Sequence, residues 1–79
     1  MTAVLMPKVG EMTEKLVMIE WHVSVGQRVE VGDALATVES DKVAADVPAP
    51  VAGVVTRLAV APDDEVAVGA EICEIEEQS

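Results

Sequence analysis

Residues 29–40 read V-E-V-G-D-A-L-A-T-V-E-S, and residues 66–77 read V-A-V-G-A-E-I-C-E-I-E-E. Laid over each other at an offset of 37, Val29, Val31, Gly32 and Glu39 fall on Val66, Val68, Gly69 and Glu76. Leu35 and Val38 fall on Ile72 and Ile75. The register runs backward as well, with V-M-I-E-W-H-V (17–23) over V-V-T-R-L-A-V (54–60). Such self-similarity marks one supersecondary unit used twice. Valine, which prefers strands, dominates both copies. Two units of this kind bury their apolar faces against each other as stacked sheets.

Within the first copy, Val17, Ile19, Trp21 and Val23 alternate with Met18, Glu20 and His22. Period two is the pattern of a half-buried strand, and it predicts the first set as the inward face. The repeat places that set over Val54, Thr56, Leu58 and Val60. Turn signals follow at short intervals: Val25-Gly26-Gln27, Val31-Gly32-Asp33, Pro48-Ala49-Pro50, Ala52-Gly53, Pro62-Asp63-Asp64 and Val68-Gly69-Ala70. Many short strands with regular punctuation predict an all-β antiparallel sandwich or barrel. No stretch carries a helical period with caps. Leu35 and Val38 are three apart, as are Ile72 and Ile75. A bulge accounts for that spacing, as does a strand covered on both faces.

With 79 residues, the chain makes one domain at most. A chain this short buries only about 60% of its unfolded surface, which leaves no room for a deep enclosed active site. Phe and Tyr are absent and Trp21 is the only aromatic, so the core is built of Val, Ile, Leu, Met and Ala. The net charge of −10 argues against nucleic acid and against an anionic membrane surface. It serves plain solvation, or steering toward a basic partner. Cys73 has no second cysteine to pair with, which fits a reducing compartment. The chain opens without the pattern of a signal peptide, and no apolar run approaches the ~18 residues of a membrane span. A bacterial cytoplasmic location is the expectation, or the mitochondrial matrix for a eukaryotic source.

The repeat also isolates what is unique. After Glu39 the first copy continues into S-D-K-V, whereas the second copy ends after Glu76 with E-Q-S. Ser40 and Asp41 are turn formers, and Val43, Ala45 and Val47 resume the alternation. Lys42, one of five basic residues, is thus predicted on a tight hairpin at one end of a pseudo-symmetric body, with the chain termini at the equivalent place. A solubilising turn lysine is one reading. The other is attachment, since a lysine ammonium on a four-carbon stem is the side chain used for amide-linked prosthetic groups. The segment Gly10-Glu11-Met12-Thr13-Glu14 makes the first connection longer than its counterpart, so it is a candidate recognition loop. Glu39, Asp41 and Asp46 surround the hairpin with negative charge. His22 has no nucleophile or orienting partner near it in sequence and is predicted exposed, without a catalytic role. Cys73 aligns with Ala36 and reads as a small core residue, and Met6 and Met18 as core or strand residues. No zinc spacing, P-loop or dinucleotide fingerprint is present.

The stretch E-S-D-K-V (39–43) resembles the lipoylation motif of lipoyl domains in the acyltransferase (E2) components of 2-oxo acid dehydrogenase complexes. P-K-V-G-E-M-T-E (7–14) resembles that family's first loop, and V-P-A-P-V-A-G-V-V (47–55) the segment after its lipoyl hairpin. The resemblance covers residues 3–76 and implies a flattened barrel-sandwich of two four-stranded antiparallel sheets with quasi-twofold symmetry. It implies lipoic acid in amide linkage on Lys42, flanked by Asp41 and Val43, where Val replaces the commoner Ala. It further implies that a lipoate–protein ligase or lipoyl transferase reads Glu39, Gly26 and Gly53. Gly10, Glu11, Met12, Thr13, Glu14 and Asp46 are expected to meet a partner. By the same resemblance the lipoyl arm is reductively acylated by a thiamine-diphosphate-dependent decarboxylase (E1). It then delivers the acyl group to the E2 core for coenzyme A, and is reoxidised by a FAD-containing dihydrolipoamide dehydrogenase (E3). The domain itself is then a monomeric, non-catalytic carrier, and residues 77–79 begin a linker.

Three rivals share parts of this pattern. A biotinyl carrier domain has the same fold, but its motif places methionine on each side of the lysine, where Asp41 and Val43 stand here. An unmodified barrel-sandwich interaction module fits the fold equally. The glycine-cleavage carrier protein needs a longer chain with flanking helices.

Overall fold

A computed structural model of the chain describes residues 1–8, 14–41 and 43–77. Eight strands follow in order: β1 (Thr2–Leu5), β2 (Lys15–Trp21), β3 (Arg28–Val29), β4 (Ala34–Glu39), β5 (Ala44–Pro48), β6 (Gly53–Leu58), β7 (Glu65–Ala67) and β8 (Glu71–Glu77). They form two four-stranded sheets, β1-β8-β6-β3 and β5-β4-β2-β7. Every described strand pair is antiparallel. No helix occurs among the described residues. The side chains that meet between the sheets are Val, Leu, Ile and Met, with Leu16, Met18, Leu35, Val55, Ile72 and Ile75 all fully buried. Trp21 packs on the margin of that core, and its indole Nε1–H donates to the Val60 carbonyl at 2.9 Å.

The repeat is carried through to single hydrogen bonds. Under the offset, β2, β3 and β4 superpose in sequence on β6, β7 and β8, and the two sheet orders then match strand for strand. Met18 N–H donates to the Asp64 carbonyl at 2.9 Å, and its counterpart Val55 N–H donates to Gln27 at 2.9 Å. Asp63 N–H donates to the Met18 carbonyl, and Gly26 N–H to Val55. That last pair explains a backbone oddity. Gly26 sits at φ +93°, and its counterpart Asp63 sits at φ +74°, the one described non-glycine residue in the left-handed region. Asp is among the few side chains that tolerate that conformation.

Bulges follow the same symmetry and correct the expected inward face of β2. Between β2 and β4, Met18 faces Val38 and Glu20 faces Thr37, so Ile19 is the extra residue. Between β6 and β8 the extra residue is Thr56, its counterpart. The buried residues of β2 are therefore Leu16 and Met18, whereas Val17 is half-buried and Ile19 is 38% exposed. Only after the bulge do Trp21 and Val23 return to the predicted side. The spacing left open in β4 and β8 resolves in the same way. Leu35 is the extra residue against β5, and Ile72 the extra residue against β1. In consequence Leu35 and Ala36, and likewise Ile72 and Cys73, are buried as consecutive pairs.

Among the described strands, β4 and β5 are the one consecutive pair that are also sheet neighbours; every other connection changes sheet. Their symmetry mates are β8 and β1, the last and first strands. The tight hairpin thus occupies at one end the position that the start of β1 and the end of β8 occupy at the other.

Candidate functional site: the β4–β5 hairpin

The hairpin closes on Ser40 and Val43. Ser40 N–H donates to the Val43 carbonyl at 2.8 Å, and the Ser40 hydroxyl donates to the same oxygen at 3.3 Å. Beyond that closure the ladder continues in register: Glu39 opposite Ala44, Val38 opposite Ala45, Thr37 opposite Asp46. Only positions 41 and 42 of the chain fall between the closing residues. Lys42, the predicted attachment residue, lies outside the described residues, as do Gly10, Glu11, Met12 and Thr13 of the predicted recognition loop. Glu14, the last of that loop, is exposed, and its carbonyl accepts from Val68 N–H at 2.9 Å.

The described neighbours make an open, water-facing platform. Glu39, Asp41, Ala44 and Asp46 are exposed, and Val43 is 43% exposed. A shallow concavity is lined by Glu39, Ser40, Asp41, Val43 and Ala44. Among the described residues no three His, Cys, Asp or Glu side chains come together as a metal site.

The two predicted recognition glycines are placed by backbone demands. Gly53 is buried at the start of β6, and a Cβ there would stand 2.1 Å from the Glu76 carbonyl oxygen. Gly26 is exposed with open space around it, so its requirement is the left-handed φ alone.

Sequence reading did not find one arrangement on the outer face of β2, β4 and β5. His22 Nε2 lies 2.7 Å from Thr37 Oγ1, and Thr37 Oγ1 donates to Asp46 Oδ1 at 3.0 Å. The signal for half of it was present, since closure of the hairpin on Ser40 and Val43 sets Thr37 opposite Asp46. In a nucleophilic triad the histidine stands between hydroxyl and carboxylate. Here the hydroxyl stands in the middle and gives its proton to the carboxylate, so His22 has no proton to take from it. His22 is exposed, as expected.

The equivalent outer face of the other sheet is chemically different. Arg57 on β6 is hydrogen-bonded to Glu71 and to Glu74, the latter at 3.0 Å, and both bonds hold its guanidinium protonated beyond its ordinary range. Cys73, on the inner side of β8, is fully buried as expected. Burial, with Glu71 and Glu74 nearby, pushes its thiol up to about 11. It is a packed thiol, not a nucleophile.

Comparison with known proteins covers most of the chain, this hairpin included. The biotin/lipoyl family model, described as "Biotin-requiring enzyme", matches residues 2–75. A lipoamide acyltransferase component of the branched-chain alpha-keto acid dehydrogenase complex from Pseudomonas aeruginosa is 39% identical over 71 residues, 90% of this chain and 17% of that protein. The dihydrolipoyllysine-residue acetyltransferase component of the pyruvate dehydrogenase complex from Mycobacterium bovis is 39% identical over 72 residues, 91% of this chain and 13% of that protein. The mitochondrial dihydrolipoyllysine-residue succinyltransferase component of the 2-oxoglutarate dehydrogenase complex from Saccharomyces cerevisiae is 35% identical over 75 residues, 95% of this chain and 16% of that protein. The chain thus spans less than a fifth of the length of these relatives.

Proposed function

Because the chain belongs to the family of biotin- and lipoyl-attachment domains, we propose that it is a lipoyl carrier domain with Lys42 as its attachment residue. The observation that carries this reading is the hairpin. The motif E-S-D-K-V spans the one turn in the described fold where two consecutive strands pair directly, and Ser40 and Val43 close it. A biotinyl role is disfavoured by Asp41 and Val43 at the positions where methionines flank a biotinyl lysine. The relatives named above are lipoamide and dihydrolipoyllysine acyltransferases, which supports lipoic acid over biotin.

The residues present fit such a group. Exposed Asp41, Val43 and Ala44 border an open concavity, so an amide-linked chain meets no wall. When attached, lipoic acid supplies a dithiolane that carries acyl groups and electrons between separate active sites. The domain's own residues do the rest. Ser40 and the β4–β5 ladder fix where the arm begins. The lysyl stem and its extension reach roughly 10–14 Å from standard bond lengths. Tethering keeps the arm at high effective concentration beside each partner. Glu39, Asp41 and Asp46 turn an acidic surface toward the decarboxylase, with Glu14 and the loop before it as a second contact. Glu39, Gly26 and Gly53 serve the attaching enzyme, the two glycines through the backbone path they permit. The partners in this reading are E1, an E2 acyltransferase core and E3, within a 2-oxo acid dehydrogenase complex of the bacterial cytoplasm or the mitochondrial matrix. The chain is then the carrier part of a longer acyltransferase.

The test is intact mass after incubation with a lipoate–protein ligase, ATP and lipoate, with the site mapped by peptide fragmentation. One lipoyl increment on Lys42, lost in a folded Lys42→Ala variant, is the expected result. No increment on a folded wild-type sample, with biotinylation by a biotin ligase instead, would move the chain to the biotinyl class. Failure of both would leave an interaction module and refute the carrier reading.

A further inference from the structure

We propose that His22, Thr37 and Asp46 form a side-chain brace that clamps edge strand β5 to β4 and β2, making His22 and Thr37 positioning residues for the carrier hairpin. The inference rests on the carrier reading of Lys42 and adds residues to it that the motif does not contain.

Strand β5 needs such a device. It is the outermost strand of its sheet, with β4 as its one neighbour. Its grip on the core is slight: Val47 is its single buried side chain, Ala45 is half-buried, and Ala44, Asp46 and Pro48 are exposed. The buried end of β5 is the one remote from the turn. The end that leads into the turn has no buried side chain and is held by the Ser40–Val43 closure and the β4 ladder alone.

Proton counting fixes the direction of the brace. A carboxylate only accepts, and a threonine hydroxyl has one hydrogen to give. Thr37 spends it on Asp46 Oδ1 at 3.0 Å. The 2.7 Å contact between Thr37 Oγ1 and His22 Nε2 must then be donated by Nε2–H. One bond crosses β4 to β5, and the other joins β4 to His22, the residue that follows β2, so two bonds in series tie β5 through β4 to the end of β2. The first lies over a backbone pair already in register, Thr37 opposite Asp46, and the second runs diagonally, since Thr37 stands opposite Glu20, two residues before His22. His22 is held from behind as well, because its N–H donates to the Leu35 carbonyl at 2.8 Å.

The pseudo-symmetry supplies an internal control. The fold demands whatever appears in both halves. Ala59 and Glu74 stand at the counterparts of His22 and Thr37, and Ala3, opposite Glu74, stands at the counterpart of Asp46. No equivalent chain is possible there. At that end β1 and β8, which pair as β5 and β4 do, are not consecutive strands and share no hairpin. The brace therefore belongs to the half that presents the lysine, not to the fold in general.

The variants Thr37→Val and Thr37→Ser separate this proposal from general packing. Valine keeps the shape and removes both bonds; serine keeps the hydroxyl. Hydrogen exchange on the folded domain is expected to show Ala44–Asp46 amides opening about three- to tenfold more often in Thr37→Val, the range set by one or two ordinary hydrogen bonds. Exchange in β6 and β8 should not change. Thr37→Ser should restore the wild-type pattern. The ligase reaction provides the functional reading: KM for Thr37→Val and for His22→Ala rises by the factor by which fraying lowers the fraction of competent hairpin, with kcat little changed. In an Asp46→Ala background, Thr37→Val should add nothing further, since residues acting through one another are non-additive. Unchanged β5 exchange in Thr37→Val, or a Thr37→Val effect that persists in full with Asp46→Ala, would overturn the brace. Absence of lipoylation in the wild type would instead overturn the carrier reading, and the exchange data would still decide the brace.

Discussion

At the scale of single residues, Gly53 shows how a small side chain near a functional motif can serve the backbone. It aligns with Leu16, a buried core residue, so the repeat alone would allow a large apolar side chain there. The ladder forbids it. Gly53 lies opposite Glu77, and the Glu76 carbonyl passes where a Cβ would go. Gly53→Ala must push β8 outward and is expected to cost about 2–3 kcal/mol, as overpacking does. Gly26→Ala meets no atom and pays only for its left-handed φ, about 1–2 kcal/mol. Urea denaturation of the two variants checks the order, and a Gly53→Ala midpoint equal to wild type would mean that β6 and β8 approach less closely than described. The sequence marked both as turn glycines and gave them a recognition role only through a family resemblance; the Glu76 carbonyl that requires Gly53 lies elsewhere in the chain and has no local signal.

At the scale of elements, the bulges decide what each strand buries. A bulge sets two residues against one, so it reverses the alternation beyond it. Ile19 is apolar and stands where strict period two expects an inward residue, so the sequence through 17–23 reads as unbroken alternation. The offset repeat did not expose the error, since Thr56 bulges at the same place and the two halves agree with each other. The three-residue spacing of Leu35 and Val38 did carry the signal for the second pair of bulges, because there the apolar pattern itself is broken. The contrast is measurable. Met18→Ala empties a fully buried site and is expected to cost about 2–5 kcal/mol. Ile19→Ala, on the exposed side of the bulge, should stay within about 0.5 kcal/mol. The reverse order in denaturant midpoints would restore simple alternation and refute the bulge. The β4–β5 hairpin was legible because its register follows from a turn of known length, and turn chemistry is local. The His22 contact was not, since it depends on where the bulge in β2 sends the side chain.

At the scale of the whole molecule, the two halves share a backbone plan and divide the charge unevenly. The strands, the paired bulges and the turn at Gly26 or Asp63 are common to both. The outer faces are not: Arg57 sits between Glu71 and Glu74 on one, whereas its counterpart Glu20 is a carboxylate on the other. Ion pairs found among the described residues involve Lys15, Arg28 and Arg57, all well exposed, and such pairs contribute little each. Against them stands a net charge of −10 on 79 residues, and amide attachment at Lys42 would remove one further cation. Repulsion among the carboxylates should therefore outweigh the ion pairs, and screening should stabilise the fold. Raising monovalent salt from about 20 to about 300 mM, which shrinks the Debye length from roughly 20 to 6 Å, weakens both kinds of interaction at once. The melting temperature at pH 7 is expected to rise by about 2–4 °C, the shift that a few tenths of a kcal/mol produces in a domain of this size. The lipoylated form should gain slightly more than the unmodified one, because it has one more unbalanced negative charge. A melting temperature that falls with salt would show that the ion pairs dominate, and that the acidic surface is balanced within the domain instead of being left for a basic partner to neutralise.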